Sequence, residues 1–280
     1  MIWVRGKVVP DQALQVSVLD RTFEHGLGLF ETFRTWNGHP VLLDRHVERI
    51  RRSARELGLP LDDDDLPDVP AFSDLIEANR DALGPGQDVR LRLTLSGGLS
   101  TTLTSSSVLW MTAKPLPPPT RISGAVITLS MQVTTDDPLT RHKTLNYWHK
   151  RIALAQAVQA GSDDVLSLTP DGLICETCRA NVFLVEGRRL LTPGLEGPLL
   201  PGVMRGVVLE RARLLGIEVE EGPLPLERIR TTDEAFMTNS LWGMLPIARL
   251  MDRELPPPGP ITRQLWSDIL PWLESGGTTP

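Results

Sequence analysis

The run Pro115-Leu116-Pro117-Pro118-Pro119 constrains this chain most. Proline has no N–H to give a sheet and a fixed φ, so the run is stiff and cannot lie inside a sheet. Strand-like patterns stand on both sides of it. Residues 89–96 alternate, with Arg90 and Arg92 on one side and Leu91, Leu93 and Leu95 on the other. Residues 108–114 and 125–133 read as further strands. The run therefore predicts a small N-terminal α/β domain (1–114), a linker (115–122) and a large C-terminal α/β domain (123–280). A length of 280 residues is enough for two modest domains.

Within the first part, residues 3–9 and 13–18 alternate in part and read as strands around a turn at Pro10-Asp11. Residues 30–36 alternate like a half-buried strand, and Asn37-Gly38 predicts a hairpin turn. Gly26 and Gly28 precede a strand rather than a helix, which argues against a dinucleotide loop. The spacing of Val47, Ile50, Ala54 and Leu57 predicts a helix over 44–57, with Arg45, Arg49, Arg52 and Arg55 on its other faces. A second helix is expected over 72–83, capped by Ser73.

In the second part, a helix over 147–160 ends at Gly161. Strands are expected at 164–168, 173–175, 181–185, 188–192, 234–238 and 244–250, and helices at 203–215 and 261–273.

A formal charge of −6 and a pI of about 5.5 argue against nucleic acid as a main partner. No run approaches the roughly 18 apolar residues of a membrane span. The first residues lack a basic stretch followed by an apolar one, so a cytoplasmic protein without a signal peptide is expected. Cys175 and Cys178 form one CxxC. It has no second copy, the five histidines lack zinc spacing, and an extended segment sends positions three apart to opposite faces. No metal or redox site is expected there.

Three stretches carry chemistry. Lys143 stands between an extended segment and a helix, and a lysine can form a Schiff base with an aldehyde. Glu176 is flanked by apolar strands, and a buried carboxylate can hold a ring nitrogen protonated. Pro201-Gly202 opens a helix whose first amides, Val203 and Met204, can bind phosphate. Each has an ordinary reading as a surface lysine, a turn glutamate or an unliganded helix start. Pyridoxal 5'-phosphate (PLP) requires all three together.

At these residues the sequence resembles the class IV, fold-type IV PLP enzymes: branched-chain aminotransferases, D-amino-acid aminotransferases and 4-amino-4-deoxychorismate lyases. The resemblance rests on Asp20-Arg21, Phe30-Glu31-Thr32, His46 to Arg49, Lys143 with Asn146, and Glu176 with Asn181-Val182-Phe183. It continues through Pro201 to Arg205 and Thr238-Asn239-Ser240 to Pro246. It implies a two-domain α/β fold with the cofactor at the domain interface, and a homodimer.

By that resemblance Lys143 is the Schiff-base lysine and proton carrier, and Glu176 pairs with the pyridinium nitrogen. Arg49, Val203, Met204 and Ser240 bind the phosphate, and Tyr147, the one tyrosine, bonds the phenolic oxygen. Arg90 and Arg92 are either substrate-carboxylate ligands or a solvated edge. Transamination between an amino acid and a 2-oxo acid is the expected reaction. The alternative is aminodeoxychorismate lyase, toward which the Gly202-Val203-Met204-Arg205 turn leans, although Ser96-Gly97-Gly98 replaces that branch's Arg-Gly-Tyr. A non-catalytic binding protein on the same fold is a third reading, disfavoured by intact Lys143, Glu176 and Arg49.

Overall fold

Alternation in the 28–36 region builds a central strand of the first half. The computed structural model describes residues 1–84, 86–99, 107–116, 124–255 and 258–277. The chain divides into two compact units. One comprises Met1–Pro118, His142–Asn146 and Trp272–Pro280, and the other Pro119–Arg141 and Tyr147–Pro271. Lys143 thus belongs to the first unit, not to the C-terminal part as expected from the sequence, because its segment pairs with a first-unit strand. Most of the expected linker, from 117 on, lies outside the described residues.

The first unit contains β1 (Ile2–Val4), β2 (Lys7–Val9), α1 (Arg21–His25), β3 (Gly28–Trp36), β4 (His39–Pro40), α2 (Leu43–Glu56), α3 (Val69–Ala78), α4 (Arg80–Leu83), β5 (Val89–Ser96) and β6 (Leu109–Pro115). Among the described residues its strands form an antiparallel six-stranded sheet, ordered β2-β1-β6-β5-β3-β4. One face is apolar: Leu29 and Phe33 of β3 and Leu91, Leu93 and Leu95 of β5 join Val47, Ile50 and Ala54 of α2 and Phe72 and Leu75 of α3 in one core. The other face carries the alternate residues Phe30, Thr32, Arg90 and Arg92.

Three expectations change here. Residues 3–9 are two strands, turned at Arg5 (φ 42°) and Gly6 (φ 78°), and 13–18 is not a strand. The helix expected over 72–83 starts earlier and breaks in two. Asp68 caps it, its side chain accepting from the Ala71 N–H at 3.0 Å, while Ser73 lies inside. Short α1 was not foreseen. Asp20 caps it by accepting from the Thr22 N–H at 2.8 Å, and also accepts from Ser96 Oγ of β5 at 2.7 Å.

The second unit contains β7 (Ala125–Ile127), β8 (Leu129–Gln132), α5 (Trp148–Gln159), β9 (Val165–Leu168), β10 (Ile174–Thr177), β11 (Asn181–Glu186), β12 (Arg189–Pro193), α6 (Val203–Leu214), β13 (Glu218–Gly222), β14 (Glu234–Asn239), β15 (Gly243–Leu250) and β16 (Arg253–Glu254), and α7 (Pro260–Glu274) starts in it. Among the described residues its sheet runs β16-β15-β14-β11-β10-β9-β8, with β12 and β13 branching from β11 and β7 beside β15. Val182, Leu184, Ala235, Met237 and Ile247 supply much of its core.

The single strand expected over 125–133 is two. β7 pairs with β15 and β8 with β9, and at the break the Thr128 N–H donates to Ser162 Oγ at 3.0 Å. The strand expected at 173–175 runs on to Thr177, so Glu176 lies within β10 rather than between two strands. Among the described residues no helix is long and apolar enough to cross a membrane.

Candidate active site

In the first unit the segment around Lys143 is held by backbone. The Phe30 N–H donates to the Lys143 carbonyl at 2.9 Å, and the Leu145 N–H donates to the Gly28 carbonyl at 3.0 Å. Gly28 has no alternative here: its φ is +144°, and a Cβ would stand 2.6 Å from Leu145 Cδ1 and 2.7 Å from the Leu95 carbonyl. The register sets Leu29 opposite Thr144, so Lys143 and Phe30 share a face. The Lys143 ammonium lies 4.6 Å from the Phe30 ring centroid, and the Arg92 guanidinium 3.9 Å from it. Two cations therefore lie near one aromatic ring, whose quadrupole attracts each of them. Arg90 projects from the same face of β5. Arg34, also on that face, is engaged by Asp88 and by the Trp36 ring.

Arg49 reaches the opposite, apolar face. Its Nε and Nη2 donate to the two oxygens of Glu31 at 2.7 and 2.5 Å, and His46 Nδ1–H donates to Glu31 Oε2 at 2.7 Å. All three side chains are buried. Burial alone would raise the Glu31 carboxyl, but the Arg49 guanidinium and the His46 bond hold it down at about 2. Burial pushes the His46 imidazole below its ordinary value, so Nδ1 carries its one proton. His46 Nε2 is buried with no hydrogen-bond partner among the described residues. Glu31 was not singled out as a site residue from the sequence. Its signal was a carboxylate at a core-facing position of an alternating strand. His142, beside Lys143, is structural: Nδ1 lies 3.0 Å from Ser53 Oγ and Nε2 3.6 Å from Glu56, both on α2.

In the second unit three adjacent strands align polar side chains. Glu176 of β10 stands opposite Asn181 of β11, and Asn181 stands opposite Thr238 of β14. Glu176 Oε2 accepts from the Leu200 N–H at 3.1 Å and from Asn181 Nδ2 at 3.3 Å, and Oε1 accepts from Lys150 Nζ at 2.9 Å. Lys150 was not read as a site residue, since a lysine in a helical pattern reads as a solvated charge. Tyr147 stands at the start of α5, and its hydroxyl donates to the Cys178 carbonyl at 3.2 Å.

Gly202 precedes α6, whose first turn has no side-chain cap, leaving the amides of Val203 and Met204 as outward donors. A Cβ on Gly202 would overlap Asn181 Oδ1, so a larger residue here would push the Asn181 amide out of the polar row. Thr238 Oγ1 is buried without a hydrogen-bond partner among the described residues. Ser240 follows in a turn that Asn239 closes by accepting from the Leu241 and Trp242 N–H groups at 2.9 and 3.0 Å. Arg205 serves structure, donating to the Pro193 carbonyl and to Glu221 at 2.8 Å each.

Cys175 and Cys178 are buried free thiols that burial pushes up to about 12, which makes them inert.

The family model for amino-transferase class IV matches residues 28–250. The chain belongs to the class IV aminotransferase family. An aminodeoxychorismate lyase of Bacillus subtilis is 31% identical over 258 residues, 89% of this chain and 86% of that protein. A putative branched-chain-amino-acid aminotransferase of Methanocaldococcus jannaschii is 32% identical over 259 residues, 90% and 88% of the two chains. The crystal structure of a branched-chain aminotransferase from Thermoproteus uzoniensis superimposes with a TM-score of 0.86 at 26% identity, covering 98% of this chain and 95% of that one.

The fold is thus fold-type IV, and the chain is a PLP-dependent enzyme of the transaminase or aminodeoxychorismate lyase kind. The residues present fit this class IV cofactor. In the second unit an uncapped helix start over a glycine and a buried hydroxyl without a partner among the described residues suit its phosphate, and a buried carboxylate suits its ring nitrogen; in the first unit, taken by itself, a lysine fixed by backbone suits its aldehyde.

Proposed function

We propose that this enzyme moves an amino group between an amino acid and a 2-oxo acid, with Lys143 holding PLP as a Schiff base and Arg92 receiving the substrate carboxylate. The Phe30 ring carries the reading: Lys143 and Arg92 lie on it together. A guanidinium held on the same aromatic ring as the reactive amine offers a docking point to the carboxylate that amino acids and 2-oxo acids share, and its fork suits that group. When bound, PLP supplies an electron sink for the pair left by the broken Cα–H bond.

This chain's residues do the rest. Lys143 carries the Cα proton as general base. Glu176 holds the ring nitrogen. The Val203 and Met204 amides and Ser240 hold the phosphate, Thr238 adds a hydroxyl, and Arg49, engaged by Glu31 on the apolar face, positions β3 instead. The enzyme is a homodimer in this reading, supported by Trp148 (77% exposed), Ile152 and Val158 standing uncovered on α5. Its place is the cytoplasm, in keeping with two unpaired thiols.

A second reading, aminodeoxychorismate lyase, draws on Arg90 beside Arg92, two cations for a substrate with two carboxylates, and on the lyase relative. The test loads the chain with PLP and offers branched-chain and D-amino acids with 2-oxoglutarate. Glutamate release is expected. No release with any donor, together with 4-aminobenzoate formation from aminodeoxychorismate, would overturn the aminotransferase in favour of the lyase.

A further inference from the structure

Lys150 has no role in that scheme, yet its placement is unusual. It is the third residue of α5 (Trp148–Gln159), in the first turn, where the helix dipole disfavours a cation. Its side chain is only 19% exposed, and burying an ammonium costs free energy unless it is paired. What offsets both terms is Glu176, whose Oε1 lies 2.9 Å from Nζ, with the Tyr147 ring 5.6 Å away. Neither packing of the helix nor solubility asks for a lysine there. The carboxylate does.

We propose that Lys150 is a second cation on the carboxylate assigned to the cofactor's ring nitrogen, a positioning residue that holds Glu176 and sets how tightly that nitrogen keeps its proton. The inference rests on the reading of Glu176 given above. Leu200 and Asn181, the donors to Oε2, are neutral and leave the full negative charge to a partner. Lys150 on Oε1 takes part of it and adds a positive charge beside the ring. Two cations then share one anion, and the nitrogen holds its proton less tightly than it would against Glu176 alone. Burial would push the Lys150 ammonium down, and Glu176 more than reverses this, so Lys150 stays charged throughout the working range. By this device the chain moderates the electron sink without losing its acidic partner.

The probe is 4'-deoxypyridoxine 5'-phosphate, which keeps the ring and phosphate but cannot react with Lys143. Its ultraviolet absorbance reports ring-nitrogen protonation when titrated on the full chain. Lys150→Met is expected to raise the bound ring's apparent pKa by about one unit or more, the size of effect a charge at this range exerts. Lys150→Arg should restore the wild-type titration. Leu200 and Asn181 still hold Glu176 in the methionine variant; should it fail to fold, Lys150→Gln, uncharged but able to donate, carries the same expectation.

Glu176→Gln provides the control, lowering the ring pKa by about one unit or more. If Glu176→Gln shifts the titration and the Lys150 variants do not, the Lys150 inference falls alone. If neither shifts it, or the wild type does not bind the probe, the assignment of Glu176 falls with it.

Discussion

Glu31→Gln removes the carboxylate that Arg49 and His46 share and leaves a guanidinium in the apolar face of the first unit. Two estimates of the cost agree. The Glu31 carboxyl falls from 4.5 to about 2 in the folded chain, which at 1.36 kcal/mol per unit corresponds to about 3 kcal/mol. Removing one partner of a buried ion pair generally costs about 3–5 kcal/mol, because the survivor is left desolvated. Against a total stability of about 5–15 kcal/mol, this is a large fraction.

The assay is urea unfolding followed by tryptophan fluorescence, in which Trp3, in the same core, reports the first unit. With a slope of about 1–3 kcal/mol per molar, the midpoint should fall by about 1 M or more. Glu31→Leu combined with Arg49→Met should recover much of the loss, since a buried pair can be replaced by apolar groups at little cost. The pH sign follows from a lowered carboxyl. Its contribution is whole above 4.5 and is lost as pH falls from there toward 2, so wild type and Glu31→Gln should converge in acid. A loss within about 0.5 kcal/mol, the range of ordinary surface changes, or a double variant equal to the sum of its parts, would refute a buried and coupled pair.

Three further outcomes are expected. His46 is held neutral, its pKa lowered from 6.5; below 6.5 the unfolded chain takes up a proton that the folded one refuses, so stability should fall with acidity there, and urea midpoints of His46→Gln should lose that slope. Gly28→Ala forces a Cβ against Leu145 and the Leu95 carbonyl, an overpacking cost of about 1–3 kcal/mol that should loosen the Lys143 segment and weaken PLP uptake roughly tenfold or more by equilibrium dialysis; unchanged uptake would show that the segment tolerates displacement. Both thiols should resist a disulfide reagent at neutral pH and react at once in urea, and rapid labelling of the folded chain would contradict their burial.

Local pattern carried much of this protein. Alternation over 89–96 defined β5, Asn37-Gly38 defined the turn after β3, and spaced apolar residues defined α2, because strand and helix periods are properties of neighbouring residues. Lys143, Glu176 and the Pro201-Gly202 turn were legible as chemistry because residue type and flanking pattern bound what each side chain can do. Other features depended on partners far away in sequence. A β-bridge to β3, more than a hundred residues earlier, decided that Lys143 belongs with the first unit. Packing of α2 on the sheet put Arg49 against Glu31, and cross-strand register brought Thr238 level with Asn181 and Glu176. Lys150 read as one more helix charge until β10 set a carboxylate 2.9 Å from it. Periodicity gives each residue a face, but pairing between distant strands decides what that face meets, and the burial and charge that distinguish these residues arise only there.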